Sequence, residues 1–573
     1  MLAVVGWGGF RAYQLRQAAR DVRIGVQQVN DHIRASQYPA ARASLQNASR
    51  ASERAQAAAH DPLWRLAAHV PLVGHTFVVA TGMTDAMVTL THEVLPGIAQ
   101  AAEVVDPHKT VHGTTVTLAP FRQVAGPLTT SAQTMAQVLA QVRALPADAK
   151  WPVGPARTQL IDQLTPFSES VSAVAVGARV LPTMLGGDRP KHYFVAVQNS
   201  AEMRGTGGLF GAFGIFGATN GKVTLDRTGT DQELKNVAQP VVDLGADYTA
   251  RYSRLAADRL WPNINLSPDF PSVGRTVEAL WKQTETQPID GVVAVDPVGL
   301  SYLLTATGPV TMPDRTTITA GNAVQRTLSE FYQRFQGPQA PRNEYMKETM
   351  RQAFTLTERG KANPATLLER LGRAVLEGHL QVYSDDPAIQ AELARTRIVG
   401  ALPTEAKGFL QVVTQNTGGN KLDYYVRRKI SYVGRLTGRA VDVGRGPEPE
   451  EEGVITIVLT NNAPRSGLPA YVSLRQDLAP GTPFPLGQDK LWVSVYIGAG
   501  GQLAGAEVDG DARNLTSEVE QGLSVFSTEV TVDPAGGTTT LQLHVFQPVV
   551  PGQHLIYRVQ PLAFPEKVTA VRR

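Results

Sequence analysis

The chain reads as a multidomain α and β protein, with an N-terminal helical region, a central α/β domain and a C-terminal β-sandwich. Three observations predict this. The first 185 residues carry apolar and alanine positions at spacings of three and four, the middle alternates strand-like and helix-like runs, and the last 150 or so show short alternating runs cut by Gly, Pro and Asn. At 573 residues the chain exceeds one ordinary domain.

In the first region, Leu15, Ala18, Ala19, Val22, Val26, Val29 and Ile33 fall on one helix face, and "YPAARASLQNASRASERAQAAAH" supplies a second, alanine-rich helix for close pairing. This helical hairpin or bundle is expected over 13–185, with further helices at about 119–145 and 155–181. "VVATGMTDAMVTLTHEVL" is long and apolar, but Thr84, Asp85 and His92 mark it as a core helix rather than a membrane span. "MLAVVGWGGF" is apolar for ten residues where a span needs roughly 20. It lacks a basic n-region and a cleavage site, so residues 1–12 are expected to be the remnant of a membrane anchor, with a short buried helix end as the alternative.

The α/β domain is expected over 186–420. "YFVAVQN" and "FGAFGIFGATNGKVTL" read as strands with "NGK" as a turn, followed by the helix-like "SVGRTVEALWKQT" and the strand and helix of "IDGVVAVDPVGLSYLLTATGPVTM". From 421 to 573, "DYYVRRKISYVGRL", "GVITIVLTNN", "KLWVSVYIG", "SVFSTEVTV" and "TTTLQLHVFQPV" give the β-sandwich pattern. "EPEEE" at 448–452 reads as an exposed loop.

Composition removes several chemistries. With 54 Lys+Arg against 51 Asp+Glu the charge is nearly balanced, which argues against a nucleic-acid partner. The absence of cysteine excludes disulfides, thiolate metal sites and cysteine nucleophiles. There is no G-x-S-x-G, H-E-x-x-H, Walker A loop or dinucleotide fingerprint, and the eleven histidines show no ligand spacing.

One polar cluster remains, in "FVAVQNSAEMRGTGGLFGAFGIFGATNGKVTL". Gly205, Gly207 and Gly208 beside Arg204 suit close backbone approach to an anion, with a permanently charged planar donor at hand. The alternative is architectural, with glycines that let a strand bend around its neighbour and an ordinary Glu202–Arg204 ion pair. "NINLSPDFP" carries Asn263, Asn265 and Asp269, read as turn and cap residues ahead of a helix capped by Ser272. Asp290 and Asp296 are expected to form turns, and Tyr424, Arg427 and Arg428 to make an interdomain contact.

"VQNSAEMRGTGGLFGAFG", "NINLSPDFP", "IDGVVAVDPVGLSYLLTATGPV", "LDYYVRRKISY" and "NNAPRSGLPAYV", in that order, resemble the bacterial domain-of-unknown-function family 4012. The resemblance implies membrane-anchored proteins without an assigned activity. The order of an Arg-bearing polar turn, a second strand ending near an Asp, a helix and "IDGVVAVDPVGLSYLLTATGPV" is more distantly similar to the LytR-CpsA-Psr family, which transfers glycopolymers from polyprenyl diphosphate to the cell wall. By that resemblance the central domain is LytR-CpsA-Psr-like. Arg204, Asp231, Arg342 and Arg351 match catalytic positions, and Asn199, Arg204, Gly205, Gly207, Gly208, Lys347 and Gln352 ligand-binding ones. Glu202, Asp231 and Asp269 would hold magnesium. The chain departs from the family in "GTD", where Thr230 stands for an arginine, and in "RNEYMKETMRQ", whose register matches loosely.

The resemblance therefore implies an extracytoplasmic, single-pass protein of the bacterial cell membrane, non-catalytic or weakly catalytic, binding a polyprenyl-diphosphate lipid, a cell-wall glycan or an envelope partner. Its alternative is a magnesium-dependent glycopolymer phosphotransferase.

Overall fold

The computed structural model describes residues 2–71, 73–336, 339–360, 362–442, 446–479, 481–550 and 554–572; the side chains of 2–9 and 339–340 lie outside the described set. The chain divides into two compact units, Met1–Pro190 with Ala218–Lys222, and Lys191–Gly217 with Val223–Arg573.

Unit 1 is helical. Its main elements are α1 (Leu2–Arg34), α2 (Tyr38–Ala59), α3 (Gly74–Thr89), α4 (Leu95–Val104), α5 (Ala119–Ala144) and α6 (Val153–Met184). Small residues set the pairing of α1 and α2, because a Cβ on Gly25 would meet the Cβ of Ala48 at 2.8 Å. "VVATGMTDAMVTLTHEVL" continues from α3 through a π-helical turn at Leu90–Val94 into α4, and Val79, Ala80, Ala86 and Val94 on it are buried. It is a core helix, as its polar residues predict. The expected anchor falls largely on residues whose side chains lie outside the described set. Among the described residues no helix is long and apolar enough to cross a membrane.

Unit 2 opens with β1 (Lys191–Arg204), β2 (Gly207–Thr219) and β3 (Lys222–Thr230), then α7 (Ala246–Tyr252), α8 (Phe270–Thr284), β4 (Gly291–Val295), α9 (Pro297–Thr307), α10 (Gln339–Glu358), α11 (Pro364–Leu376) and β5 (Leu380–Ser384). These strands lie in the order β3-β2-β1-β4-β5, with β1 and β4 parallel and β5 antiparallel to β4. Asn220 and Gly221, with φ of 50° and 83°, form the two-residue turn that "NGK" predicts. One face of the sheet packs Phe194 and Phe213 against Trp261 and the α8 residues Val277, Leu280 and Trp281. Near the other face lies α10, whose Met346, Met350 and Phe354 approach Gly211, Gly214 and Phe216 of β2.

The cap of α8 is Asp269 rather than Ser272. Its Oδ2 accepts from the Ser272 backbone N–H at 3.1 Å and from the Ser272 hydroxyl at 2.6 Å, so Ser272 lies inside the helix. Pro271 fits the first turn, where no amide hydrogen is needed. Of the two aspartates expected to form turns, Asp296 caps α9 through Gly299 N at 2.9 Å, whereas Asp290 ties its chain to the start of β1, accepting from His192 N at 2.8 Å and pairing with Lys191 at 3.5 Å.

The C-terminal region is β-rich, and it begins at β6 (Phe409–Asn416), ahead of "DYYVRRKISY". It continues with β7 (Val426–Asp442), β8 (Pro447–Asn461), β9 (Asp489–Ile497), β10 (Gln502–Val508), β11 (Thr516–Glu520), β12 (Leu523–Val532), β13 (Gly537–Pro548), β14 (Ile556–Arg558) and β15 (Lys567–Arg572). One sheet runs β11-β12-β9-β6-β14; in another, β10-β13-β8-β7-β15 are successive neighbours. A shared core takes Leu410, Val412, Val493 and Val495 from the first and Ile430, Ile457 and Leu543 from the second. "EPEEE" is part of β8, not a loop: Glu451 is buried, bonded to the Tyr432 hydroxyl and paired with Arg572 at 2.7 Å. A carboxylate with two such partners can sit inside a sheet.

Candidate ligand-binding site

Arg204 is where the sequence places its phosphate-binding arginine, but its guanidinium is already committed. It is buried, pairs with Glu202 at 2.7 Å, and donates to the carbonyls of Pro262 at 3.2 Å, Met203 at 3.0 Å and Asn416 at 3.3 Å. Burial pulls its pKa down to about 10, so the cation is held at a cost. The link to Asn416 O joins the end of β1 to β6, and Gln560 adds to the joint by donating to Arg204 O at 2.8 Å and to Thr414 O at 2.9 Å.

The glycines serve the same joint. A Cβ on Gly205 would sit 2.3 Å from Leu266 O, and one on Gly208 would sit 2.2 Å from the carbonyl carbon of Asn199. Gly207 has φ of 136°, and the Gly208 amide donates to Gln198 Oε1 at 2.9 Å. The close neighbours of this turn are backbone and Gln198, so the architectural reading of the opening glycines accounts for its geometry.

Beyond Glu202 the network changes character. Glu202 also pairs with Lys421, whose ammonium lies 5.6 Å from the centre of the Tyr471 ring; on that ring the Arg342 guanidinium stacks at 4.0 Å. Tyr332 faces Tyr471 with ring centres 6.0 Å apart, and its hydroxyl accepts from Asn199 Nδ2. Burial pulls the Lys421 pKa down to about 8, with Asp423 opposing the fall. Arg342 is 5% exposed and forms no ion pair among the described residues. A guanidinium with an aromatic ring on one face and no carboxylate partner keeps N–H donors for a small anion or a phosphate oxygen.

The structure thus brings Asn199, Glu202, Arg204 and Arg342 into one connected cluster, together with Tyr332, Lys421 and Tyr471. Asp231 starts the 3-10 turn after β3, where burial raises its carboxyl to about 6 and its charge acts on Tyr332. Lys347, Arg351 and Gln352 do not join this cluster. Lys347 pairs with Glu344 at 3.1 Å and Glu233 at 3.5 Å, Arg351 with Glu348 at 2.8 Å and Glu344 at 3.1 Å, and Gln352 donates to Glu348 at 2.6 Å. These contacts dress the α10 surface.

The three acids expected to hold magnesium do not fit it as a set. Glu202 is held by two cations, Asp269 caps α8 and accepts from Leu402 N at 2.8 Å, and Asp231 starts the 3-10 turn after β3 within electrostatic reach of Tyr332. Among the described residues no group of three His, Cys, Asp or Glu lies together as metal ligands. Tyr424 lies in the 3-10 turn Asp423–Tyr425 ahead of β7, and Arg427 and Arg428 in β7: Arg428 pairs with Glu566 at 2.6 Å, and Arg427 stacks on Phe564 at 3.4 Å.

Lys421, Tyr471 and Tyr332 are the site residues that sequence reasoning missed. Tyr471 stands inside "NNAPRSGLPAYV" and Lys421 directly precedes "LDYYVRRKISY", so both motifs carried the signal.

Residues 188–332 match a family described as proteins of unknown function, DUF4012. The matched segment holds "VQNSAEMRGTGGLFGAFG", "NINLSPDFP" and "IDGVVAVDPVGLSYLLTATGPV", three of the motifs that pointed to that family. It also holds Asn199, Glu202, Arg204 and Tyr332, whereas Arg342, Lys421 and Tyr471 come from the chain beyond it. No curated protein and no solved structure matches the chain.

Proposed function

We propose that this chain is a membrane-anchored, extracytoplasmic envelope protein that works by binding rather than by catalysis. In this reading unit 2 joins a LytR-CpsA-Psr-like domain to a β-sandwich, and its ligand is the diphosphate of a polyprenyl lipid or a phosphate-bearing cell-wall glycan. Arg342 is the primary anion contact, Lys421 lends a second positive charge, and Tyr471 and Tyr332 wall the site. Arg204 is a strut.

One observation carries the reading: Arg342 is buried on Tyr471 with no carboxylate partner among the described residues, while Arg204 is saturated by Glu202 and three carbonyls. Catalysis of diphosphate transfer needs several converging cations, usually with a metal. Here Lys347 and Arg351 are committed to carboxylates on α10 and β3's following turn.

The transferase alternative has one observation in its favour, the Asp231 carboxyl raised to about 6 within the electrostatic reach of Tyr332, where it suits proton transfer. The two readings separate in one experiment. Calorimetric titration with a short-chain polyprenyl diphosphate, with and without magnesium, is expected to give metal-independent binding that Arg342→Gln abolishes. A transfer assay with the same lipid is expected to give no product. Product formation that Asp231→Asn removes would establish the transferase.

A further inference from the structure

One end of unit 1 carries exposed apolar side chains that the helical core does not use. Trp151 is 83% exposed and Leu66 is 67% exposed, with Leu63 and Val70 also exposed around the short helix Pro62–Ala67. These side chains come from two connections that the fold brings together. Lys150 N donates to Thr76 Oγ1 at 3.0 Å and His75 bonds Asp148 at 2.7 Å, which seats the Trp151 loop beside the start of α3. Trp64 packs edge-on against Phe77 at 4.9 Å, which seats the Pro62–Ala67 helix on the same part of α3.

This end is also where α1 begins. Arg11 pairs with Asp61 at 2.9 Å, so the turn before Pro62 lies level with the first turns of α1, and Tyr13 is exposed there. The α1 sequence leading up to Arg11 is "LAVVGWGGF". Asp61 is taken by Arg11, and Asp148 is hydrogen-bonded to His75 and within electrostatic reach of Lys150, whereas Arg65 is exposed and makes no ion pair among the described residues.

We propose that this end of unit 1 rests on an anionic lipid bilayer, with Trp151, Leu66 and their neighbours in the headgroup region and Arg65 on lipid phosphate. The chemistry matches that surface. Tryptophan and tyrosine favour the interface between hydrocarbon and water, and a basic residue near an anionic leaflet adds attraction. A protein partner would have to cover these apolar side chains together with the cation of Arg65, whereas a lipid surface takes both at once. The proposal rests on the reading of the chain as membrane-associated, and concerns which surface touches the lipid.

The test uses the full chain with vesicles of phosphatidylcholine and phosphatidylglycerol in which part of the phosphatidylcholine carries bromine on its acyl chains. The chain is expected to float with the vesicles, and its tryptophan emission to be quenched. With Trp7→Phe in every protein compared, so that the apolar start of the chain adds no quenched signal, Trp151→Phe should remove most of the quenched signal, assigning it to this residue. Leu66→Glu/Val70→Glu, with Trp151 retained, should cut the quenching to about half or less, since acids are driven out of the apolar boundary. If the chain floats but Trp151→Phe leaves the quenched signal unchanged, this end does not touch lipid and the inference fails while membrane association stands. If the chain does not float, both fail. Diphosphate binding in solution is read separately and is untouched by either result.

Discussion

Replacing Arg204 by methionine tests whether that residue is a strut or a ligand contact. The substitution keeps most of the side-chain length and removes the charge. It strips Glu202 of its 2.7 Å partner and leaves the carbonyls of Pro262, Met203 and Asn416 without that donor. Breaking a buried ion pair from one side costs about 3–5 kcal/mol. Lys421 still holds Glu202, which places the expected loss toward the lower part of that range, and the carbonyl bonds, at about 1 kcal/mol each, return it upward. The account therefore expects a loss of about 3–5 kcal/mol from unit 2. Guanidinium unfolding followed through tryptophan emission reads it, because Trp261 and Trp281 are both buried in unit 2. A variant within about 1 kcal/mol of the parent, with diphosphate binding lost, would refute the strut and restore Arg204 as the ligand contact.

Three further outcomes are expected. Arg251 is fully buried, bonded to Ser494 at 2.7 Å, 3.5 Å from Glu520 and caged by Tyr252, Trp492 and Tyr496; Arg251→Met should cost about 3–5 kcal/mol, and adding Glu520→Gln should recover more than about 1 kcal/mol in a double-mutant cycle. Gly208→Ala, whose Cβ would meet the Asn199 backbone at 2.2 Å, should destabilise by more than about 2 kcal/mol, whereas Gly211→Ala, which meets the flexible end of Met346 at 3.0 Å and Asn199 Cβ at an ordinary 3.8 Å, should stay within about 1 kcal/mol by the same unfolding assay. Asp489 and Asp423 are buried together around the Asn416 amide, and burial raises both carboxyls above the ordinary range, so the folded state holds their protons more tightly than the unfolded state. Such a pair contributes stability that is complete below the unfolded carboxyl value near 4 and is lost as pH rises through the raised folded value, so Asp489→Asn should gain stability relative to the parent as pH rises toward 8 and little near 4, read by unfolding at the two pH values.

Much of the architecture was legible because it rests on local patterns. The three- and four-residue spacing from Leu15 to Ile33 specified α1, and "NGK" specified a turn with two positive φ angles, while Asp296 before Pro297, expected in a turn, caps a helix. Local patterns also failed where a partner lay far away. The run at 448–452 reads as solvated until Tyr432 and Arg572 are placed beside Glu451. Asp269 and Ser272 are both good caps, and the choice between them follows from where the helix begins around Pro271. The candidate site divides in the same way. Glu202 and Arg204 stand two residues apart, so their ion pair was readable. Lys421 and Tyr471 reach the cluster from more than 200 residues downstream of Glu202, and no spacing rule connects them.

The most direct measurement is calorimetric titration of a short-chain polyprenyl diphosphate into the parent chain, Arg342→Gln and Tyr471→Leu, each checked for unchanged unfolding. The account predicts binding to the parent without added metal, its loss in Arg342→Gln and a weakening of about tenfold or more in Tyr471→Leu, the aromatic face being worth roughly 1–2 kcal/mol to a desolvated cation. Equal binding by all three proteins would contradict the assignment of Arg342 as the anion contact.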